Sequence, residues 1–179
     1  MVNVDGAASL PARLVRGVGR GASWLILLMV CITFGIVTLR YGFNLGWVWL
    51  QESVTYLHAA VFMLAAAWTW QVDGHVRVDI LYRGRSARRK AWVNLLGTLL
   101  LLVPFCVYLL LIGWDYVAAS WSLREGSRQA GGLPFVWLLK PLILLLPALL
   151  LVQAACFLPG YLRTALGRTP ADPDRPAAA

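Results

Sequence analysis

The stretch "AWVNLLGTLLLLVPFCVYLLLIGW", residues Ala91 to Trp114, contains no formal charge. A helix needs about 20 predominantly apolar residues to cross roughly 30 Å of hydrocarbon, so this segment is long enough to span a bilayer. Three other stretches read the same way: Gly21 to Leu39, Ser53 to Val72, and Pro141 to Leu162, the last beginning earlier, near Pro134. The whole chain has 179 residues, is 60% hydrophobic and only 13% charged, and its mean hydropathy is +0.70, too apolar for a domain with a solvated surface. Nine Trp and six Tyr fit a chain whose amphipathic rings collect where hydrocarbon meets headgroups. The sequence predicts an all-α integral membrane protein with four transmembrane helices over residues 21–162, preceded by a cytoplasmic or interfacial segment (1–20) and followed by a disordered cytoplasmic tail (163–179).

Charge distribution supplies an orientation. Twelve of the sixteen Lys and Arg flank the spans on one side: Arg13, Arg16 and Arg20; Arg77, Arg83, Arg85, Arg88, Arg89 and Lys90; and Arg163, Arg168 and Arg175. The other side holds Arg40, Arg124, Arg128 and Lys140. The positive-inside rule then places both termini in the cytoplasm. Because the basic residues sit in short flanks rather than on one soluble face, the formal charge of +8 argues for topology and contact with anionic lipid, not for nucleic acid. Leu10, Leu14, Val15 and Val18 alternate with Arg13, Arg16 and Arg20 as in an amphipathic segment on a leaflet, against which Pro11, Gly17 and Gly19 count. The first run is longer than a signal-peptide core and is followed by Arg40 and Tyr41, so it is expected to stay as an anchor.

Ionisable residues within or beside the spans are few, and each is a functional candidate by default. Glu52 opens the second span and Arg40 closes the first, so the two are expected to pair. Asp115 and Lys140 are expected to clamp the third span to the fourth. Glu52, Thr55, His58, Phe62, Ala65 and Thr69 share one helical face, a contact face on which His58 should hydrogen-bond within protein. His58 and His75 lie about 25 Å apart if both are on one helix, which excludes bis-histidine haem within this chain. Continued helix would also make Asp73–Arg77 and His75–Asp79 i,i+4 pairs, although Gly74 interrupts that reading. Pro104 should bend the third span, and Ser86 is placed to cap its start. Cys31, Cys106 and Cys156 are isolated, with neither dithiol nor metal-ligand spacing. No nucleophile–base pair, phosphate loop or metal cluster appears, so no catalytic, cofactor or metal residue is assigned and the chain is not expected to be an enzyme.

Three strings carry a family likeness: "WVWLQESVTYLHAAVFMLAAAWTWQVDGHVRVDILY", "RRKAWVNLLGTLLLLVPF" and "REGSRQAGGLPFVWLLKPLI". From about Arg40 to Gln153 the chain resembles the small, four-helix (Q-type) membrane subunit of TRAP transporters, the tripartite ATP-independent periplasmic carriers. "GHVRVDI" and the pattern around Gly131–Gly132 look most like the mannitol/chloroaromatic branch. Trp49, Glu52 and the segment His75, Arg77, Asp79 match the family pattern, while many members carry two acids where this chain has Gln51–Glu52. The resemblance implies a bacterial inner-membrane scaffold that joins a large permease and a periplasmic solute-binding protein for ion-coupled uptake of an organic acid. On it, Arg40, Trp49, Glu52, His58, His75, Arg77, Asp79, Asp115 and Lys140 would be structural or subunit-interface residues, and no cofactor is required. The competing readings are a membrane anchor for a redox enzyme, which wants a haem histidine pair or a dithiol, and a self-sufficient small transporter, which wants inverted repeats around a polar midplane site.

Overall fold

A computed structural model describes residues 10–76 and 84–167. Among them every regular element is helical: α1 (Leu10–Phe43), α2 (Val48–Gln71), α3 (Ala87–Gly97), a π segment (Thr98–Leu102), α4 (Val103–Ser122), the single turn α5 (Val136–Leu139) and α6 (Leu142–Ala165). α3, the π segment and α4 form one continuous 36-residue helix, Ala87–Ser122. Three units are long and apolar enough to cross a membrane: α1, Ala87–Ser122 and Val136–Ala165. α2 is 24 residues long, and it carries Gln51, Glu52, His58 and Gln71, which dilute its apolar character. Only 6% of the most apolar window of α1 is buried, against 17% in Ala87–Ser122 and 28% in Val136–Ala165. That much uncovered hydrocarbon belongs in lipid or under another protein, not in water.

α6 is the hub. It touches α1, α2, α3 and α4, whereas α1 packs chiefly on α2. One core cluster joins Val15, Ala67 and Leu149 from α1, α2 and α6, and a second joins Leu95 of α3 to Phe157 and Tyr161 of α6. Trp70 meets Phe157 edge-on, with ring centroids 5.4 Å apart.

Helix boundaries depart from expectation at three places. α1 begins at Leu10, so the basic N-terminal flank continues the first helix, with Ala12, Val15, Gly19 and Ala22 buried. A Cβ at Gly19 would overlap the Trp68 side chain, so this glycine permits the close approach of α1 to α2. Gln71 Nε2 donates to the Ala12 carbonyl at 3.2 Å and ties the two helices at their basic ends. α2 does not run on through His75: it ends at Gln71 in a Schellman turn, with Gly74 N–H donating to Thr69 O (2.8 Å) and Asp73 N–H to Trp70 O (3.1 Å), Asp73 taking φ +60°. The helical premise behind the pairs Asp73–Arg77 and His75–Asp79 therefore fails at its first residues. Arg77 and Asp79 themselves lie outside the described residues.

The third break concerns Pro104. The π segment immediately precedes α4, in which Pro104 is the second residue. Proline removes a donor and crowds the preceding turn, and a wider turn just before it accommodates both effects. Ser86 occupies the N-cap position of α3, but its hydroxyl makes no cap bond. Arg88, unfavourable for the dipole of its own helix, instead donates from Nε to the Ala165 carbonyl at 2.8 Å, at the C-terminal end of α6.

Candidate functional site

The connections at the end opposite the basic flanks form an ordered cap. α4 closes in a second Schellman turn, Arg124 N–H donating to Trp121 O (3.3 Å) and Glu125 N–H to Ser120 O (3.1 Å), with Arg124 at φ +49°. That left-handed residue aims its guanidinium at two aromatic faces, 4.2 Å from the Trp137 centroid and 5.6 Å from that of Trp121. The two indoles meet edge to face at 4.7 Å. The chain then folds back: Ser127 N–H donates to Leu133 O (2.9 Å), Gly132 N–H to Gln129 O (3.0 Å) and Trp137 N–H to Glu125 O (3.2 Å).

Glu52 reaches into this loop from the first turns of α2. Its Oε1 accepts from Ser127 Oγ at 2.5 Å and its Oε2 from the Leu133 N–H at 2.6 Å. Both are charge-assisted bonds, the strong class. Trp49 adds a backbone link, its N–H donating to Gly131 O at 3.1 Å. Gly132 fits under the carboxylate only because it lacks a side chain: a Cβ there would collide with Ser127 Oγ and lie 2.8 Å from Glu52 Oε1. Beside this knot Lys140 Nζ pairs with Glu125 Oε2, and the same ammonium sits 3.9 Å from the Tyr116 ring centroid. The hydrogen bond from Lys140 holds the Glu125 carboxyl below its ordinary value.

Two expected pairings are thereby corrected. Glu52 is satisfied by a hydroxyl and a backbone amide of the 123–135 loop, while Arg40 is exposed in the last turn of α1 and makes no ion pair with it. Lys140 pairs with Glu125, leaving Asp115 exposed on α4. In each case the loop supplies a nearer partner than the neighbouring helix does. His75 lies past the end of α2 with Nε2 3.1 Å from the Ala66 carbonyl, so that nitrogen carries the proton. Among the described residues His58 finds no hydrogen-bond partner. It is exposed with Thr55 and Phe62, its ring stacked on Phe62 at 6.3 Å, about 15 Å along α2 from Val48 at 1.5 Å per residue.

Arg124, Glu125, Ser127, Gly132 and Leu133 lie in a string that the sequence marked only as a family likeness, with no role in a site assigned to them. The visible signals were Gly131–Gly132 in a short loop and an acid flanked by Arg124 and Ser127. The assembled site can clamp: its hydroxyl, Ser127 Oγ, is held between the Glu52 carboxylate and the Gln129 N–H, and no cluster of metal-binding side chains occurs among the described residues.

Residues 29–163 match the family model for tripartite ATP-independent periplasmic transporters, DctQ component, which covers 135 of the 179 residues. No match was found among curated proteins or among solved structures.

Proposed function

Because the chain belongs to the DctQ family, the small inner-membrane component of a tripartite transporter rather than an enzyme, we propose that it is the scaffold on which the large permease is held. The observation that carries this reading is the exposed row Gln51, Thr55, His58 and Phe62 on α2. An imidazole at that depth costs several kcal/mol against lipid tails, and polar side chains within spans face protein or water. Phe62, 68% exposed beside it, adds an apolar anchor. The permease covers this row, and its contact completes the hydrogen bonding that His58 lacks here.

On this reading α2 crosses the bilayer with the other three long units, giving four spans with both termini cytoplasmic. The described basic residues support that orientation: Arg13, Arg16, Arg20, Arg85, Arg88, Arg89, Lys90 and Arg163 lie at one end, on anionic headgroups, and Arg40, Arg124, Arg128 and Lys140 at the other. The Glu52 cap then faces the periplasm, towards the solute-binding protein. The complex takes up an organic acid by ion coupling, and the chain's own likeness is to the mannitol/chloroaromatic branch. Substrate and ion sites belong to the permease.

Two experiments test this. The chain alone in proteoliposomes should take up no organic acid, and uptake without partners would defeat the scaffold reading. Disulfide trapping through His58→Cys or Phe62→Cys should capture the permease, whereas Leu111→Cys, on another exposed helix, serves as the comparison. Equal trapping from all three positions would remove the argument from α2.

A further inference from the structure

We propose that two copies of this chain associate in the membrane through the exposed face of the Ala87–Ser122 helix, each donating the Tyr108 hydroxyl to the Leu99 carbonyl of the other. The acceptor comes from the π segment. Val103 N–H donates to Thr98 O, five residues back, and so passes over the Leu99 carbonyl that an α-helix would give it. The next residue is Pro104, which has no N–H. The Leu99 oxygen therefore has neither an i+4 nor an i+5 donor. Helix carbonyls point towards the C-terminal end, which sets this one beside Pro104, itself exposed.

The donor lies on the same face. Pro104, Tyr108 and Leu111 follow at i, i+4 and i+7, and all three are exposed, Tyr108 by 58% and Leu111 by 71%. Tyr108 makes no hydrogen bond among the described residues. Long side chains on a helix lean towards its N-terminus, which carries this hydroxyl back towards the level of Pro104, four residues or about 6 Å away. Depth makes both groups costly to leave bare. The uncharged run Ala91–Trp114 centres between Leu102 and Val103, so Leu99 and Tyr108 lie within about 9 Å of that centre, against a hydrocarbon half-thickness of about 15 Å. No water reaches there to satisfy a carbonyl or a phenol, and lipid tails offer neither donor nor acceptor. The face calls for protein.

Which protein follows from the pairing of opposite needs. A two-fold contact lays one patch against itself, so the patch must be self-complementary, and this one carries a donor and an acceptor at similar depth. A different partner would have to bring its own donor for Leu99 and its own acceptor for Tyr108. Copies inserted in the same orientation, related by an axis along the bilayer normal, meet at equal depth. Each hydroxyl then faces the other copy's carbonyl, and two equivalent bonds form. Asp115, also exposed and one turn beyond Leu111, lies about 16 Å further out than Pro104, where crossing helices have diverged and water screens the like charges. The inference rests on the membrane placement of this helix and not on the permease contact assigned to α2.

The test uses the full chain, with Cys31, Cys106 and Cys156 replaced by alanine, in membranes that also contain the permease. Oxidation of Leu111→Cys should link two copies of the chain by a disulfide, whereas Phe62→Cys should link none. Energy transfer between labelled chains, in proteoliposomes of graded protein-to-lipid ratio, then reads the strength of association. Tyr108→Phe keeps the ring and should weaken association about eightfold, the loss of two interhelical hydrogen bonds of ordinary strength. Pro104→Ala returns an N–H to the Leu99 carbonyl and should also weaken association, while the single chain melts no lower than wild type. The double variant should associate no more weakly than the weaker single one, since both changes remove the same bond. Absence of the Leu111→Cys pair, capture of the permease through that residue, or unchanged association of Tyr108→Phe would overturn the proposal. If His58→Cys fails to trap the permease while Leu111→Cys still links two chains, the α2 reading falls and this one stands.

Discussion

Glu52 and Ser127 stand 75 residues apart in the chain and 2.5 Å apart in space, joining the start of α2 to the loop that leads into α6. The contact turns a local carboxylate into a long-range tie. Replacing Glu52 by Gln leaves one carbonyl oxygen to accept from the Leu133 amide and turns an NH2 towards the Ser127 hydroxyl, so both charge-assisted bonds become neutral ones. The cost should be about 1–3 kcal/mol. Thermal unfolding in detergent should show that loss for Glu52→Gln, a coupled and less than additive effect with Ser127→Ala, and no change for Arg40→Gln. A destabilised Arg40 variant matching Glu52→Gln would restore the helix-to-helix pair that the geometry displaces.

Glu125 gives a pH signature. Its folded-state carboxyl is held below the ordinary value by the hydrogen bond from Lys140, so the charged form is favoured by folding. The contribution is fully present above the unfolded value near ~4.3 and is lost as pH falls through the lower folded value. Melting temperature between pH 7 and pH 3 should fall more steeply for wild type than for Lys140→Met, in which Glu125 moves back towards its ordinary value. Parallel curves would show that the pair is energetically silent.

Arg124 separates backbone strain from side-chain attraction. A non-glycine residue in the left-handed region costs roughly 1–2 kcal/mol, and the stacked guanidinium returns about 0.5–2 kcal/mol. Arg124→Ala keeps the strain and loses the stacking, while Arg124→Gly loses the stacking and relieves the strain. The glycine variant should therefore melt higher than the alanine variant. The reverse order would mean that the turn is not left-handed in solution.

His58 should be silent in isolation and active in assembly. It makes no hydrogen bond among the described residues and is exposed, so His58→Leu should leave the melting of the isolated subunit within about 0.5 kcal/mol of wild type, as for a surface site. Co-purification with the permease should drop, because the partner is left with an unsatisfied polar group. A variant that destabilised the isolated chain while leaving the complex intact would place His58 inside the subunit.

The apolar runs were legible because length and the absence of charge are sufficient signals for a span. Their ends were not. Pro11, Gly17 and Gly19 argued against a helix before Gly21, yet Gly19 is where α1 closes on Trp68, a reason that exists only once two helices meet. At the end of α2 the converse holds: Gly74 already hinted at a stop, and the Schellman turn at Asp73 supplies it. Arg40 and Glu52 are close in sequence and opposite in charge, which made their pairing the natural inference. The loop offered a hydroxyl and an amide that no spacing rule would have matched to a residue 75 or 81 positions away.

The central place of α6 also sets an order of events during synthesis. α1 and α2 can zip together as soon as both emerge, through Gly19, Trp68 and Gln71, but Val15 and Ala67 complete their contact only with Leu149. About 70 residues separate the end of α2 from the start of α6, roughly 4–14 s of translation at about 5–20 residues per second. For that interval the first hairpin waits with its α6-facing side uncovered by protein, and the last of the described helices is the one that closes the subunit.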